Sequence, residues 1–438
     1  MIGGVVVELV LPELTLVLLV GPSASGKSTF AKRHFLATEV LSSDTFRAWI
    51  ADDEADQSTT PAAFQLLHLV AAKRLACGRR VVIDATNLDS RARQPLFELA
   101  RQYYYQVVAF VFAMPVEICL AHNAGRTARL VPEAVILNHC EQLPKAVAAL
   151  EGEGCHAVHS FSSPAEASSV AVIRGKMPAD HRGDSGPFDI IGDVHGCFDE
   201  LLALLYKLGY DIGNGGDGRA FGIARHPQGR RAIFLGDLVD RGPQAPACLR
   251  LAMNMVRQGH ALMVLGNHED KLDRHLRGRK VSMNHGFTAT LRQLEVETGD
   301  FKADCCQFIA SLPSHLVLDG GGLVAVHAGL KEGMHLRDTG AVRAYAIYGE
   351  VTGDVDQYGL PVRYNWAKDY RGKARVVYGH TPVAEPEWQN GAICIDTGCV
   401  YGGKLSALRY PELELVAVAA AKEYYAAIRP IRVGKSSG

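Results

Sequence analysis

Five short apolar runs in the second half of the chain each end in a loop that presents Asp, His or Asn. The runs lead into GDVHG (Gly192–Gly196), GDLVDRG (Gly236–Gly242), GNHED (Gly266–Asp270), VHAG with His327, and YGHTP with His380. Runs of this length, bounded by glycine and polar residues, read as buried strands. A fold that uses such loops together must bring the strand ends to one edge, where α/β proteins hold their ligands. Cleavage of a phosphate ester by two metals about 3.5–4 Å apart needs such a distributed set of O and N donors. Asp193 and His195, two apart in an extended exit, are assigned to the first metal. Asp237 is expected to bridge both metals, and Asn267, His327 and His380 to complete the second. The mix of carboxylate, amide and imidazole, without thiolate, suits two divalent metals of the Mn²⁺ type. His268 is the candidate to protonate the leaving oxygen. Asp240 is expected to orient it, and Arg241 to offer a two-pronged contact to phosphate. Asp396 in IDTG either supports the metal histidines or is structural.

The first third of the chain carries different chemistry. An apolar strand, Leu14–Val20, enters GPSASGKST, Gly21–Thr29, which matches G-x-x-x-x-G-K-[ST]. In that pattern backbone N–H groups face phosphate oxygens, and Lys27 neutralises charge. Gly21, Ser23, Gly26, Lys27, Ser28 and Thr29 are therefore assigned to ATP, with Ser28 on Mg²⁺. SSDTFR (Ser42–Arg47) follows the next strand. Asp44 is placed to take a proton from an attacking hydroxyl, and Arg47 to hold a phosphate near the acceptor. Asp84 in DATN either serves the Mg²⁺ through water or only hydrogen-bonds at a strand end. Arg126 and Arg129, in a polar stretch between helices, are assigned to a lid over the triphosphate.

The order of strand, phosphate loop, SSDTFR, DATN and lid arginines resembles the polynucleotide 5′-kinase family of P-loop phosphotransferases. That family's lid often carries a further arginine four positions before Arg126, where this chain has His122. GDVHG, GDLVDRG, GNHED, HAG and GH resemble the metallophosphatases of the phosphoprotein phosphatase superfamily. This second resemblance implies two β-sheets flanked by helices. An arginine that the superfamily's protein phosphatases place before the GH pair is replaced by Tyr378, with Arg363 or Arg371 as alternatives. The whole chain is similar to the bacterial polynucleotide kinase-phosphatases, without their ligase domain.

The expected architecture is α/β: a P-loop kinase domain with a parallel sheet (1–174), a linker (175–187), a metallophosphoesterase domain (188–425) and a frayed tail (426–438). The resemblance implies an end-healing enzyme that phosphorylates 5′-OH ends with ATP and removes 3′-phosphate or 2′,3′-cyclic phosphate from RNA or DNA; the missing ligase is expected either as a separate partner or in a further part of a longer protein. The alternative is a Ser/Thr protein or dinucleoside polyphosphate phosphatase fused to a small-molecule kinase or nucleotide sensor. Composition bears on this in one way. A formal net charge of −1 gives no overall basic field for gripping long nucleic acid, so binding should be focused on ends. With no signal peptide and no membrane span expected, the assigned compartment is the cytoplasm. The oligomeric state stays open between monomer and homodimer.

Overall fold

The computed structural model describes residues 7–126, 129–214 and 222–431. The chain divides into two compact units. One runs to Met177 and includes Arg337–Thr339; the other comprises Pro178–Leu336 and the segment from Gly340 onward.

The first unit is built on a five-stranded parallel sheet. Thr15–Val20 is its central strand, flanked by Val81–Asp84 and Gln106–Phe112, with Val40–Ser42 and Ala157–Phe161 at the edges. All six residues of Thr15–Val20 are buried, as expected for a strand covered by helices on both faces. The helix after the phosphate loop spans Lys27–His34. Its left-handed cap residue, Gly26, has φ 99°. Two features of DATN fix the loop. The Asn87 amide donates to Leu19 O at 2.8 Å, and Gly21 N donates to Thr86 O at 3.0 Å.

Among the described residues, the second unit has two large sheets and two short two-stranded ones. In the five-stranded sheet the order is Ala261–Met263, Arg231–Phe234, Phe188–Ile191, Lys404–Tyr410, Leu415–Ala419. In the six-stranded sheet Leu323–Val326 and Arg375–Tyr378 lie at the centre. Alternation of side chains decides which faces meet. Phe188, Ile190 and Ile233 pack with Leu316, Leu323, Val377 and Ile393 in the core between the sheets. Ile191, Ala232 and Phe234 point the other way, into a core with helices Phe198–Leu208 and Ala245–Arg257.

The stretch expected to be a linker carries a strand, Asp180–His181, paired in parallel with Val317–Leu318. Its polarity concealed this, because a two-residue edge strand has no periodicity to read. Of the expected tail, residues 432–438 lie outside the described residues. Among the described residues, no helix is long and apolar enough to cross a membrane.

Candidate active sites

Strand exits in the second unit deliver their side chains to one buried cluster. Asp237 lies at its middle. His327 Nε2 is 3.4 Å from Asp237 Oδ1, and His195 Nε2 and His268 Nε2 are 3.5 and 3.8 Å from its Oδ2. On one side, His327 Nε2 is 2.9 Å from Asn267 Oδ1 and 2.9 Å from His380 Nδ1. Asp193 reaches the same place, its Oδ2 accepting from His380 N at 3.1 Å. The structure thus brings together Asp193, His195, Asp237, Asn267, His327 and His380.

Backbone strain marks the cluster. His195, Asp237, Asp240, Arg241 and His380 all have positive φ, between 46° and 73°. Non-glycine residues rarely adopt such angles, and they persist where surrounding contacts over-determine them. Close approach explains two motif glycines. A Cβ on Gly266 would lie 2.4 Å from Asp237 Oδ1, and one on Gly379 would lie 2.1 Å from Asp193 Oδ1.

The donor set fits divalent cations. His195 Nδ1 pairs with Val239 O at 2.8 Å, and His327 Nδ1 with Leu235 O at 2.9 Å. Donation from Nδ1 fixes the tautomer and leaves each Nε2 lone pair facing Asp237. Burial, then the neighbouring Asp396 and Asp237 carboxylates, push Asp193 well above the usual carboxylate range. Burial likewise raises Asp396 to about 6. Burial alone would raise Asp237 too, but the surrounding imidazoles of His327 and His268 hold it well below its ordinary value. Buried carboxylates and imidazole lone pairs in this number are stabilised by cations placed among them. Two donor groups share Asp237: one with His195 and His268, the other with His327 and His380.

His268 follows Asn267 at the start of helix Asn267–Leu276. Its Nδ1 is 2.5 Å from Asp240 Oδ2, and Asp240 Oδ1 accepts from Thr290 Oγ1 at 2.7 Å. The Arg241 guanidinium donates to His195 Nε2 and, at 3.0 Å, to His268 Nε2. Of the two arginines weighed as replacements before the GH pair, Arg363 is the one near this cluster, its charge acting on His380. Arg371 is spent on the carbonyls of Lys368 and Tyr370.

Sequence reasoning assigned no role to Glu269. It is fully buried, and its carboxylate accepts from Asp237 N and Leu238 N, both at 2.7 Å. It therefore sets the strained turn that aims Asp237. Glu269→Gln keeps the shape but replaces one acceptor oxygen with a donor facing an N–H group. Phosphoesterase activity should fall about 10–100-fold, the range for groups that orient ligands, with phosphate transfer by the first unit unchanged. Steady-state assays of both activities check this.

In the first unit, Lys27 Nζ is buried against its own loop, donating to Gly21 O at 2.9 Å and to Pro22 O. Burial lowers it to about 8, against an opposing pull from Asp84. Asp84 is raised by burial, against an opposing pull from the neighbouring Ser28 hydroxyl and Lys27. This is the arrangement of a strand-end carboxylate and loop hydroxyl that hold Mg²⁺ in phosphate-loop enzymes. A cavity of about 560 Å³ beside the loop is lined by Lys27, Thr29, Arg33, Met114, His122 and Arg126, among others. Gly26 and Ser28 also line it, whereas Gly21 and Ser23 lie earlier in the loop. Ser23 N faces His139 Nδ1 at 3.5 Å. His122, where the resembling family often has arginine, sits 3.1 Å from Ala24 O through Nδ1.

Asp44 lies in the first turn of helix Ser43–Ala51, with its side chain 44% exposed. Arg129 reaches Asp44 Oδ2 at 2.9 Å, which joins the lid stretch to the proposed base. Arg47, expected to hold a phosphate, is instead buried. It pairs with Asp44 and donates from Nε to Glu54 O at 2.8 Å. One helical turn separates Arg47 from Asp44, and that spacing favours the internal ion pair.

Residues 186–418 match the calcineurin-like phosphoesterase family model, and residues 16–147 match an AAA domain model. The chain is 44% identical over 243 residues to the asymmetrical bis(5′-nucleosyl)-tetraphosphatase PrpE of Anoxybacillus flavithermus, covering 55% of this chain and 96% of that protein. Identity to the Bacillus subtilis protein of the same name is 42% over 241 residues, covering 54% of this chain and 96% of the relative. A solved structure of a protein serine/threonine phosphatase from Saccharomyces cerevisiae is 15% identical, with a TM-score of 0.38, covering 57% of this chain and 84% of that one.

Proposed function

The chain belongs to the calcineurin-like phosphoesterase family, and from that premise we propose that it heals nucleic-acid ends, pairing metal-dependent removal of a 3′-terminal phosphate with ATP-dependent phosphorylation of a 5′-hydroxyl. The reading rests on one conjunction. A phosphate loop stands in the same chain as the metallophosphoesterase cluster, with a partly exposed carboxylate, Asp44, held by a lid arginine. Two opposed reactions on one phosphate would only hydrolyse ATP. Acting at opposite termini, they turn a 5′-OH and 3′-phosphate pair into the ends that a ligase joins.

At the 5′ end, the Asp44 carboxylate accepts the hydroxyl proton as oxygen attacks the γ-phosphorus, and the bond from that phosphorus to the bridging oxygen breaks to release ADP. Lys27 and Arg126 offset the charge on the phosphate oxygens, Ser28 and Asp84 would hold Mg²⁺, and Arg129 keeps Asp44 oriented. At the 3′ end, Asp193, His195, Asp237, Asn267, His327 and His380 would hold two divalent cations, with Mn²⁺ the expected pair. When bound, these metals polarise the ester and activate water. Arg241 steadies the phosphate. His268, oriented by Asp240, gives its proton to the departing 3′-oxygen. The substrates are RNA or DNA ends and ATP.

A second reading has a specific observation behind it. The phosphoesterase unit aligns over almost the full length of proteins named as bis(5′-nucleosyl)-tetraphosphatases. On that reading the same cluster hydrolyses dinucleoside polyphosphates. Parallel assays with a 3′-phosphorylated oligonucleotide, its 2′,3′-cyclic form and diadenosine tetraphosphate separate the two. End healing predicts the highest kcat/KM on the oligonucleotides. A preference for the tetraphosphate, with no transfer from ATP to a 5′-OH end, supports the second.

Chelation gives a further expectation. Dialysis against EDTA should abolish both activities. Mg²⁺ should restore phosphate transfer, and Mn²⁺ should restore ester cleavage more fully than Mg²⁺ does, because imidazole and amide donors favour the softer ion. Activity measured against metal concentration checks this.

A further inference from the structure

Beside the GDVHG loop lies a second group of ligand-type side chains that neither reaction uses. Cys197, Glu200 and Cys399 are 1%, 4% and 1% exposed. One ligand atom from each lies within 4.8 Å of the others. Cys197 caps helix Phe198–Leu208, which carries Glu200 in its first turn, and Cys399 comes from the turn after Asp396. Cys197 Sγ lies 3.8 Å from the His195 carbonyl. Glu200 Oε1 accepts from Ala421 N at 2.9 Å and Tyr424 OH at 2.8 Å, but its buried Oε2 has no hydrogen-bond partner. A carboxylate oxygen buried without a donor is unfavourable, and a cation beside it would offset that cost.

We propose that Cys197, Cys399 and Glu200 bind a thiophilic divalent cation of the Zn²⁺ class, at a site distinct from the Asp237 centre. The donor chemistry separates the two sites. Around Asp237 the donors are N and O; here two sulfurs join one carboxylate. Binding displaces the two thiol protons to solvent and leaves two thiolates and a carboxylate on the 2+ ion. Cys248, also buried, neighbours Cys197 and Glu200 and puts a further sulfur nearby. The ion would tie the loop bearing His195 to the turn bearing Asp396 and to the segment Ala421–Tyr424. It would thereby position the catalytic loops without touching substrate. A disulfide between Cys197 and Cys399 accounts for less. It leaves Glu200 Oε2 without a partner, and an oxidant would have to reach thiols that are nearly inaccessible.

The test uses the full chain, reduced and stripped of metal, titrated with Co²⁺ alone. Sulfur-to-cobalt charge transfer in the near ultraviolet reports thiolate ligation and is silent for N/O sites. The expected result is one equivalent with this band in the wild type and in His327→Ala, and no band in Cys197→Ser/Cys399→Ser. Glu200→Gln, which removes no sulfur, should weaken Co²⁺ binding at this band by about tenfold or more. It keeps the test open should the double variant not fold. Absence of the band in the wild type overturns the proposal. So does a band unchanged in the double variant, or a Cys197–Cys399 disulfide by intact mass without cobalt uptake.

Discussion

Asp44→Asn is expected to lower phosphate transfer to a 5′-hydroxyl by about 10²–10⁴-fold, the range associated with loss of a general base. Asparagine is close to isosteric, but it cannot accept the proton and no longer carries charge to pair with Arg129 and Arg47. The partner arginines give the prediction a sharper form. If Asp44 only anchored them, Asp44→Asn would raise KM through a disordered lid and leave kcat nearly intact. Proton acceptance predicts a fall in kcat with little change in KM for ATP, because the cavity lined by Lys27 and Arg126 stays as it is. Ester cleavage should be unchanged in the same preparation, which also shows that the variant folds. Asp44→Glu should recover part of kcat.

Asp237→Asn should have the opposite pattern: ester cleavage reduced by at least about 100-fold and phosphate transfer unaffected. Three imidazoles, from His195, His268 and His327, face this carboxylate within 3.8 Å. Asp237 is assigned to both metals, with His195 on one side and His327 and His380 on the other, so one substitution weakens both positions. The amide keeps one oxygen acceptor but loses the charge that balances two cations. Metal content by elemental analysis should fall together with activity. His268→Ala is the comparison that separates metal binding from proton transfer, since it should lower kcat with less effect on metal content.

The parts that sequence made legible share a property: their chemistry is carried by residue type and spacing within one short segment. GPSASGKST and the Asp and His residues at strand exits are of this kind, because a phosphate loop or a metal ligand needs particular atoms at a strand end. What escaped depends on partners far along the chain. Glu269 lies inside a motif that was read, yet its role is set by backbone N–H groups at Asp237 and Leu238, more than thirty positions earlier. Thr290 supports Asp240 from a helix fifty residues later, with no local mark to distinguish it from any other threonine. The internal pairing of Arg47 had no sequence signal for a related reason. A cation beside a phosphate loop suggests a ligand, but the nearby carboxylate and the Glu54 carbonyl claim it first. Strand Asp180–His181 is invisible to periodicity because it is two residues long and polar. The positive φ at His195, Asp237 and His380 had no sequence signal either, since residues that rarely adopt it were held there by the packing of the loops.

The central claim is that one chain treats the two termini of a broken strand in separate units. Its most direct test is product analysis of a single oligonucleotide bearing a 5′-OH and a 3′-phosphate, incubated with ATP, Mg²⁺ and Mn²⁺. The account predicts a product with a 5′-phosphate and a 3′-hydroxyl, and one changed end each in Asp44→Asn and Asp237→Asn, at opposite termini. An oligonucleotide recovered with both ends unaltered, while diadenosine tetraphosphate in the same tube is hydrolysed, would contradict it.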